Sequence, residues 1–227
     1  VRGLFESVQV NTDANGDNIV GDAANEPSLA PHHLNPANIV VVWRQFDSVD
    51  SDFRQAGQAF SRDRGRTWSG TRVLDPGVFR SDPVVRAGPG GEFYYSSLRG
   101  PGALETFIFR SEDGGDTWTA PLYSFGGDKQ WISVDTTEGP GRGMVYQHWG
   151  GRFTRSFDRG ETWDTPYSGS VMWGQETVRY DGSVCIASGS SGVRVNRLIN
   201  THDPDNPPTI ESSTATGVLT AGFGGPP

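Results

Sequence analysis

The chain is poor in two residue types that would narrow its function. Of its 227 residues one is cysteine, Cys185, in the apolar run SVCIAS. It has no partner for an intrachain disulfide and no CxxC metal pattern, and it reads as a small buried hydrophobe. Only one lysine is present, Lys129, against eighteen arginines, and the net charge is −8. An acidic chain without basic clusters is a poor nucleic-acid binder, because phosphate neutralisation dominates that affinity. No run of eighteen apolar residues exists, which excludes a transmembrane helix. No segment sustains a helical period. GxSxG, HExxH and GxxxxGK[ST] are all missing, so the common nucleophile elbow, zinc-protease and phosphate-loop chemistries have no motif here. The histidines, His32, His33, His148 and His202, show no metal-ligand spacing.

Glycine (31), proline (15) and aromatics are abundant. Short β-branched and aromatic runs between Gly-rich turns predict an all-β fold. One pattern recurs three times: SRDRGRTW at 61–68, SEDGGDTW at 111–118 and SFDRGETW at 156–163. Its aspartates, Asp63, Asp113 and Asp158, lie 50 and 45 residues apart. Repetition at this period points to one supersecondary unit per repeat. In each copy the aspartate is suited to accept bonds from backbone N–H groups just downstream, and glycine supplies a positive φ. Trp68, Trp118 and Trp163 then re-enter an extended segment, each expected to wedge between neighbouring units.

Four repeats are expected, at about 26–76, 80–126, 128–168 and 175–220, after a leading segment 1–25 in which VQVN reads as a short strand. The fourth has THDPDNPPT where the motif belongs. Three or four strands per repeat match a propeller blade. The repeat starts NEPSLA, SDPVVR, DKQWIS and GQETVR align, which places Glu26, Asp82, Asp128 and Glu176 around one mouth of the central channel. Such carboxylates would hold a cation or act as general acid and base; equally, they are polar strand starts facing channel water. In the leading segment Asp13, Asn15 and Asp17 have the i, i+2, i+4 spacing of a calcium loop. The remaining loop positions, Asn18 and Ala24, do not follow the calcium pattern, and Asn15-Gly16 is also a plain turn signal.

Ser-x-Asp-x-Gly-x-Thr-Trp resembles the Asp-box, or BNR repeat, of sialidases and other secreted β-propellers, and the likeness covers roughly residues 20–200. NEPSLAP, WRQFD, FRSDPVV and DKQWISVD are similar to bacterial secreted sialidase-like proteins. The resemblance implies an extracellular propeller of six or more blades, to which this chain contributes about four. The remainder would come from a further segment or another chain. It also implies a glycan-directed site: three arginines for a substrate carboxylate, a Tyr–Glu nucleophile pair and an acid/base Asp. Arg44, Arg80 and Arg179 are the candidate arginines, and Asp82, Glu176 and Tyr180 the candidate catalytic groups. The family's Phe/Tyr-Arg-Ile-Pro motif is absent; the nearest stretch is Phe79-Arg80-Ser81-Asp82-Pro83. That departure leaves a second function class open, a non-catalytic propeller binding glycan or protein.

Overall fold

The structure is a computed structural model, and it describes residues 7–169, 174–188 and 193–215. It is all-β, with sixteen strands in four antiparallel four-stranded sheets, each sheet built from consecutive strands. The first is β1 (Ala23–Pro31), β2 (Ile39–Phe46), β3 (Arg54–Ser61) and β4 (Arg72–Leu74). The second is β5 (Arg80–Ala87), β6 (Phe93–Arg99), β7 (Glu105–Ser111) and β8 (Leu122–Tyr123). The third is β9 (Trp131–Val134), β10 (Val145–Trp149), β11 (Arg152–Ser156) and β12 (Tyr167–Ser168). The fourth is β13 (Glu176–Val178), β14 (Val184–Ser188), β15 (Val193–Ile199) and β16 (Thr209–Ala215). These sheets are propeller blades. Their first strands pack in series, β1 on β5, β5 on β9 and β9 on β13, and line a common channel. β1 and β13 both line one cavity of it. No helix among the described residues is long and apolar enough to cross a membrane.

The inner strands of the first three blades are apolar on both faces because each of these blades is covered on both sides. Val40 and Val42 of β2 pack with Val85, Phe93, Tyr95 and Phe109 of the second blade. Val41 and Trp43, one residue out of phase, pack on the other face with Val10 and Trp68. Pleat alternation thus sends one continuous apolar run into two clusters. Between the third and fourth blades, Tyr146 and Phe153 meet Val184, Ile186 and Leu198. Fully burying such side chains contributes roughly 1.5–3 kcal/mol each. The outermost strands of the first three blades are only two or three residues long, which limits their unpaired edges.

The repeated motif closes β3 on β4, β7 on β8 and β11 on β12. In the second blade, Asp113 Oδ1 accepts from the Thr117 N–H (2.9 Å) and the Ser111 hydroxyl (2.9 Å). Its Oδ2 accepts from the Thr117 hydroxyl at 2.6 Å. The Gly115 N–H donates to Ser111 Oγ (2.9 Å), and Gly115 sits at φ 94°. The indole N–H of Trp118 donates back to the Gly115 carbonyl (3.2 Å). Asp63 and Asp158 repeat the same set. The Thr67 N–H and hydroxyl lead the groups that bring Asp63 down to about 2 from an ordinary 3.8. For Asp113 and Asp158 burial pushes upward, but the threonine and serine donors outweigh it and hold both below the ordinary value.

Arginines clasp neighbouring turns together. Arg62 donates to the Asp113 carbonyl (3.2 Å), Arg110 to the Arg159 carbonyl (2.9 Å), and Arg159 pairs with Glu112 (2.8 Å). In the fourth blade the Pro-rich loop is irregular, and its carbonyls are gathered by one side chain. Arg155 donates to Asn200 O (2.7 Å), Thr201 O (3.1 Å) and Asn206 O (3.2 Å).

Two sequence expectations change here. VQVN forms no strand; beyond it a single bridge, Thr12 to Asn18, forms, and Val10 covers the apolar face of the first blade. Trp118 and Trp163 pack in clusters shared by two blades, whereas Trp68 packs between the first blade and that leading segment. The last residues assigned to the fourth repeat, 216–220, lie outside the described residues.

Candidate functional site

The channel holds two cavities, one above the other along the first strands. The mouth chamber, about 380 Å³, is lined by Glu26, Ser28, Asp82, Arg86, Gln130 and Trp131, among others. The inner chamber, about 350 Å³, is lined by Leu29, Pro31, Arg86, Ser133, Glu176 and Val178, among others. Arg86 belongs to both.

The mouth is shaped by a repeated backbone irregularity. The pairing of β1 with β2 shifts between Asn25 and Ser28, and that of β5 with β6 between Ser81 and Val84. At these bulges Glu26 and Asp82 stand at φ 51° and 49°, each followed by proline. A positive φ on a residue with a side chain is costly and is tolerated where the surroundings over-determine it. Here the surroundings are ionic: Arg44 pairs with Glu26 and, at 3.2 Å, with Asp82. Asp82 also accepts from the Ser81 hydroxyl (2.8 Å) and the Lys129 N–H (3.1 Å), and its carbonyl accepts from the Gln130 amide. Three blades are thereby tied at one acidic residue.

The expected ring of four carboxylates is not what forms. In the third blade the residue with the matching positive φ is Lys129, at 61°, so the mouth carries a cation there and Asp128 lines neither chamber. Glu176 lies one step further along its strand than Glu26 and Asp82, and so lines the inner chamber. Its Oε2 is 2.8 Å from Nδ1 of His148 on β10, with both side chains fully buried.

The three candidate arginines do not converge. Arg44 is at the mouth. Arg80 is buried, paired with Asp75, its guanidinium over the rings of Phe107 (4.8 Å) and Phe109 (5.2 Å). One carboxylate takes its Nη2, while Nε and Nη1 are buried without a protein hydrogen-bond partner and lie against the aromatic faces. Arg179 and Tyr180 sit on the exposed turn between β13 and β14, where Arg179 lies 3.8 Å from Asp181, and neither lines a channel chamber. At the leading turn, Asp13 Oδ1 accepts from the Asn15 (2.8 Å) and Asp17 (2.9 Å) N–H groups, an ordinary aspartate turn. Among the described residues no group of three or more His, Cys, Asp or Glu is arranged to hold a metal ion.

Sequence reasoning missed Arg86, Trp131 and the partnership of His148 with Glu176. Arg86 was legible as the fifth residue after Ser81 in an aligned strand start; the His148 contact had no signal, since its partner is 28 residues away on another blade.

Comparison with solved structures places this architecture. The fold resembles a sialidase propeller. A leech intramolecular trans-sialidase superposes with a TM-score of 0.62 at 12% identity, over 89% of this chain and 52% of that one. A Hadza microbial sialidase gives 0.59 at 13% identity, over 92% and 49%. A protein of unknown function from Dyadobacter fermentans gives 0.57 at 15% identity, over 86% and 69%. The chain thus spans about half the length of the two sialidases. At these identities the likeness is one of fold. No protein-family model and no curated protein matches the sequence.

Proposed function

We propose that this protein is a glycan-directed propeller that binds a sugar at the mouth chamber. The observation that carries the reading is the chamber's lining. One indole, Trp131, stands among planar hydrogen-bonding groups, Glu26, Asp82, Gln130 and Arg86, in a concave space of about 380 Å³. A sugar ring has an apolar C–H face and a rim of hydroxyls that both donate and accept. An aromatic plate beside carboxylates, an amide and a guanidinium is complementary to both surfaces.

The described residues support binding more than hydrolysis. Glycosidase chemistry most often needs one carboxyl that holds a proton and one that is ionised. Glu26 and Asp82 are both held by the one guanidinium of Arg44, in an ion-pair cluster that spans two blades. Tyr180 and the other two arginines lie elsewhere. Extracellular residence belongs to the same reading, since a sugar-binding propeller of this kind meets its ligands outside the cell. Titration calorimetry against a panel of sialylated and neutral oligosaccharides tests it, together with an assay for released sugar. Saturable binding that Trp131→Ala or Asp82→Asn weakens at least tenfold, without sugar release, is the expected result. Binding indifferent to both substitutions overturns the placement, and catalytic release of sugar overturns the non-hydrolytic reading.

A further inference from the structure

A third cavity lies at the same end of the blades as the mouth chamber. It holds about 460 Å³ and is lined by Phe53, Phe79, Arg99, Pro101, Ala103 and Glu105, among others. Arg80 pairs with Arg99 and Ser81 with Leu98, so the end of β6 and the loop after it stand beside the start of β5, where Asp82 enters the mouth. Phe53 comes from the connection 47–53 between β2 and β3, and Pro101 and Ala103 from the connection 100–104 between β6 and β7. The matching connection in the third blade is Gly150 and Gly151 alone. A hairpin needs no more than two residues, and longer loops on a rigid scaffold are where binding groups collect. The side chains around the cleft are open to solvent. Phe53 is exposed, and the Arg99 and Glu105 side chains, 46% and 30% exposed, pair with each other. Phe53 meets the Phe79 ring edge to face at 6.2 Å between centroids, and the Arg54 guanidinium lies over Phe79 at 4.4 Å.

We propose that this cleft is an outer subsite, seating a further neutral residue of the oligosaccharide whose end occupies the mouth, a proposal that rests on the mouth being a sugar site. Continuity between the two carries the assignment. Arg54, stacked on Phe79, donates from Nε to the Ser81 hydroxyl (3.4 Å), which donates to Asp82 Oδ1 (2.8 Å). One chain of contacts thus joins the wall of the cleft to a carboxylate of the mouth. Phe79 and Asp82 are three positions apart, which at a rise of about 3.3 Å per residue is at most about 10 Å. That separation exceeds one sugar ring and lies within reach of a short oligosaccharide. The chemistry of the cleft suits a sugar as well. Phe53 offers an apolar surface to a C–H face, and the Arg99–Glu105 pair offers donors and an acceptor to the hydroxyls. The pair carries no net charge, which selects a neutral residue.

The test is NMR titration of the protein with galactose, lactose and lacto-N-neotetraose. The Trp131 indole N–H reports on the mouth, and the Ala103 and Glu105 amides report on the cleft. Saturable shifts of Trp131 with all three probes are expected, with shifts of Ala103 and Glu105 for the tetrasaccharide and an affinity at least tenfold above that of galactose. Phe53→Ala weakens the tetrasaccharide at least fivefold and leaves galactose unchanged. Arg99→Ala, at a second exposed position, is read in the same way. Shifts at Trp131 without shifts at Ala103 and Glu105 overturn the subsite alone. So do equal affinities for the three probes, a tetrasaccharide affinity indifferent to both substitutions, or an equal loss for galactose. No shift of Trp131 with any probe overturns the mouth reading and the subsite with it. A dimer in sedimentation velocity that Phe53→Ala dissolves assigns the cleft to a second copy of the chain and also overturns the proposal.

Discussion

The outer rim and the channel of these blades are built from similar residues put to opposite use. On the rim, the side-chain polar atoms of the motif's own Ser, Asp, Thr and Trp find partners within four residues in all three turns. At the channel, carboxylates are bonded across blades, and Glu176, Ser133, His148 and Gln130 retain buried atoms without protein partners. A closed local network stabilises a turn and has nothing left to offer a ligand. An open one built from several blades costs stability and leaves bonds to be made. Carboxylates thus belong to structure on the rim and to the candidate site in the channel.

That contrast is breakable by substitution. Trp118→Ala has the largest expected effect on stability, about 3 kcal/mol. It removes an indole packed on Tyr95 (6.2 Å between centroids) in the cluster shared by the first two blades. Chemical denaturation measures the loss, and the folded fraction should bind its ligand as before. Asp113→Ala comes next, at about 1–3 kcal/mol, because the Thr117 and Ser111 donors lose their acceptor. A loss of glycan binding at unchanged melting temperature would break the contrast. Arg44→Gln is expected to cost about 1–3 kcal/mol, because it leaves the largely buried Asp82 carboxylate without its cation, and to abolish binding at the mouth, where it leaves Glu26 and Asp82 unneutralised. A melting curve and a titration on the same sample separate the two effects.

Acid provides the mildest perturbation. Asp63 and Asp181 are both depressed to about 2 from 3.8, Asp63 mainly by the Thr67 N–H and hydroxyl and Asp181 mainly by the Ser183 hydroxyl and N–H. A depressed carboxyl is ionised in the folded state where the unfolded chain takes up a proton. Its contribution is therefore full above about pH 4 and is lost as pH falls toward 2. Asp63→Asn should flatten the acid limb of the stability profile in that window. A profile unchanged between pH 4 and 2 would mean that the turn carboxylates do not couple to folding.

Local chemistry made much of the fold legible in the sequence. Four repeats, strand-turn-strand units about the three motifs, and the irregular Pro-rich loop in the fourth all follow from residues a few positions apart. An aspartate that bonds the N–H four residues on needs no distant partner, so its spacing alone determines the turn. The site was legible only in outline. Strand starts pointed to the channel, and Glu26, Asp82 and Glu176 do line it. The ring was misjudged by one position, since the aligned strand starts themselves put Lys129 and Gln175, not Asp128 and Glu176, in the place of Glu26 and Asp82. The fate of each arginine was undetermined by sequence. Arg80 is buried on two phenylalanines, Arg44 bridges two blades, and Arg86 stands between two chambers. The Arg44–Asp82 contact joins residues 38 apart, and the His148–Glu176 contact residues 28 apart. They exist only once the blades have packed, since packing alone sets which strand of one blade faces which strand of the next.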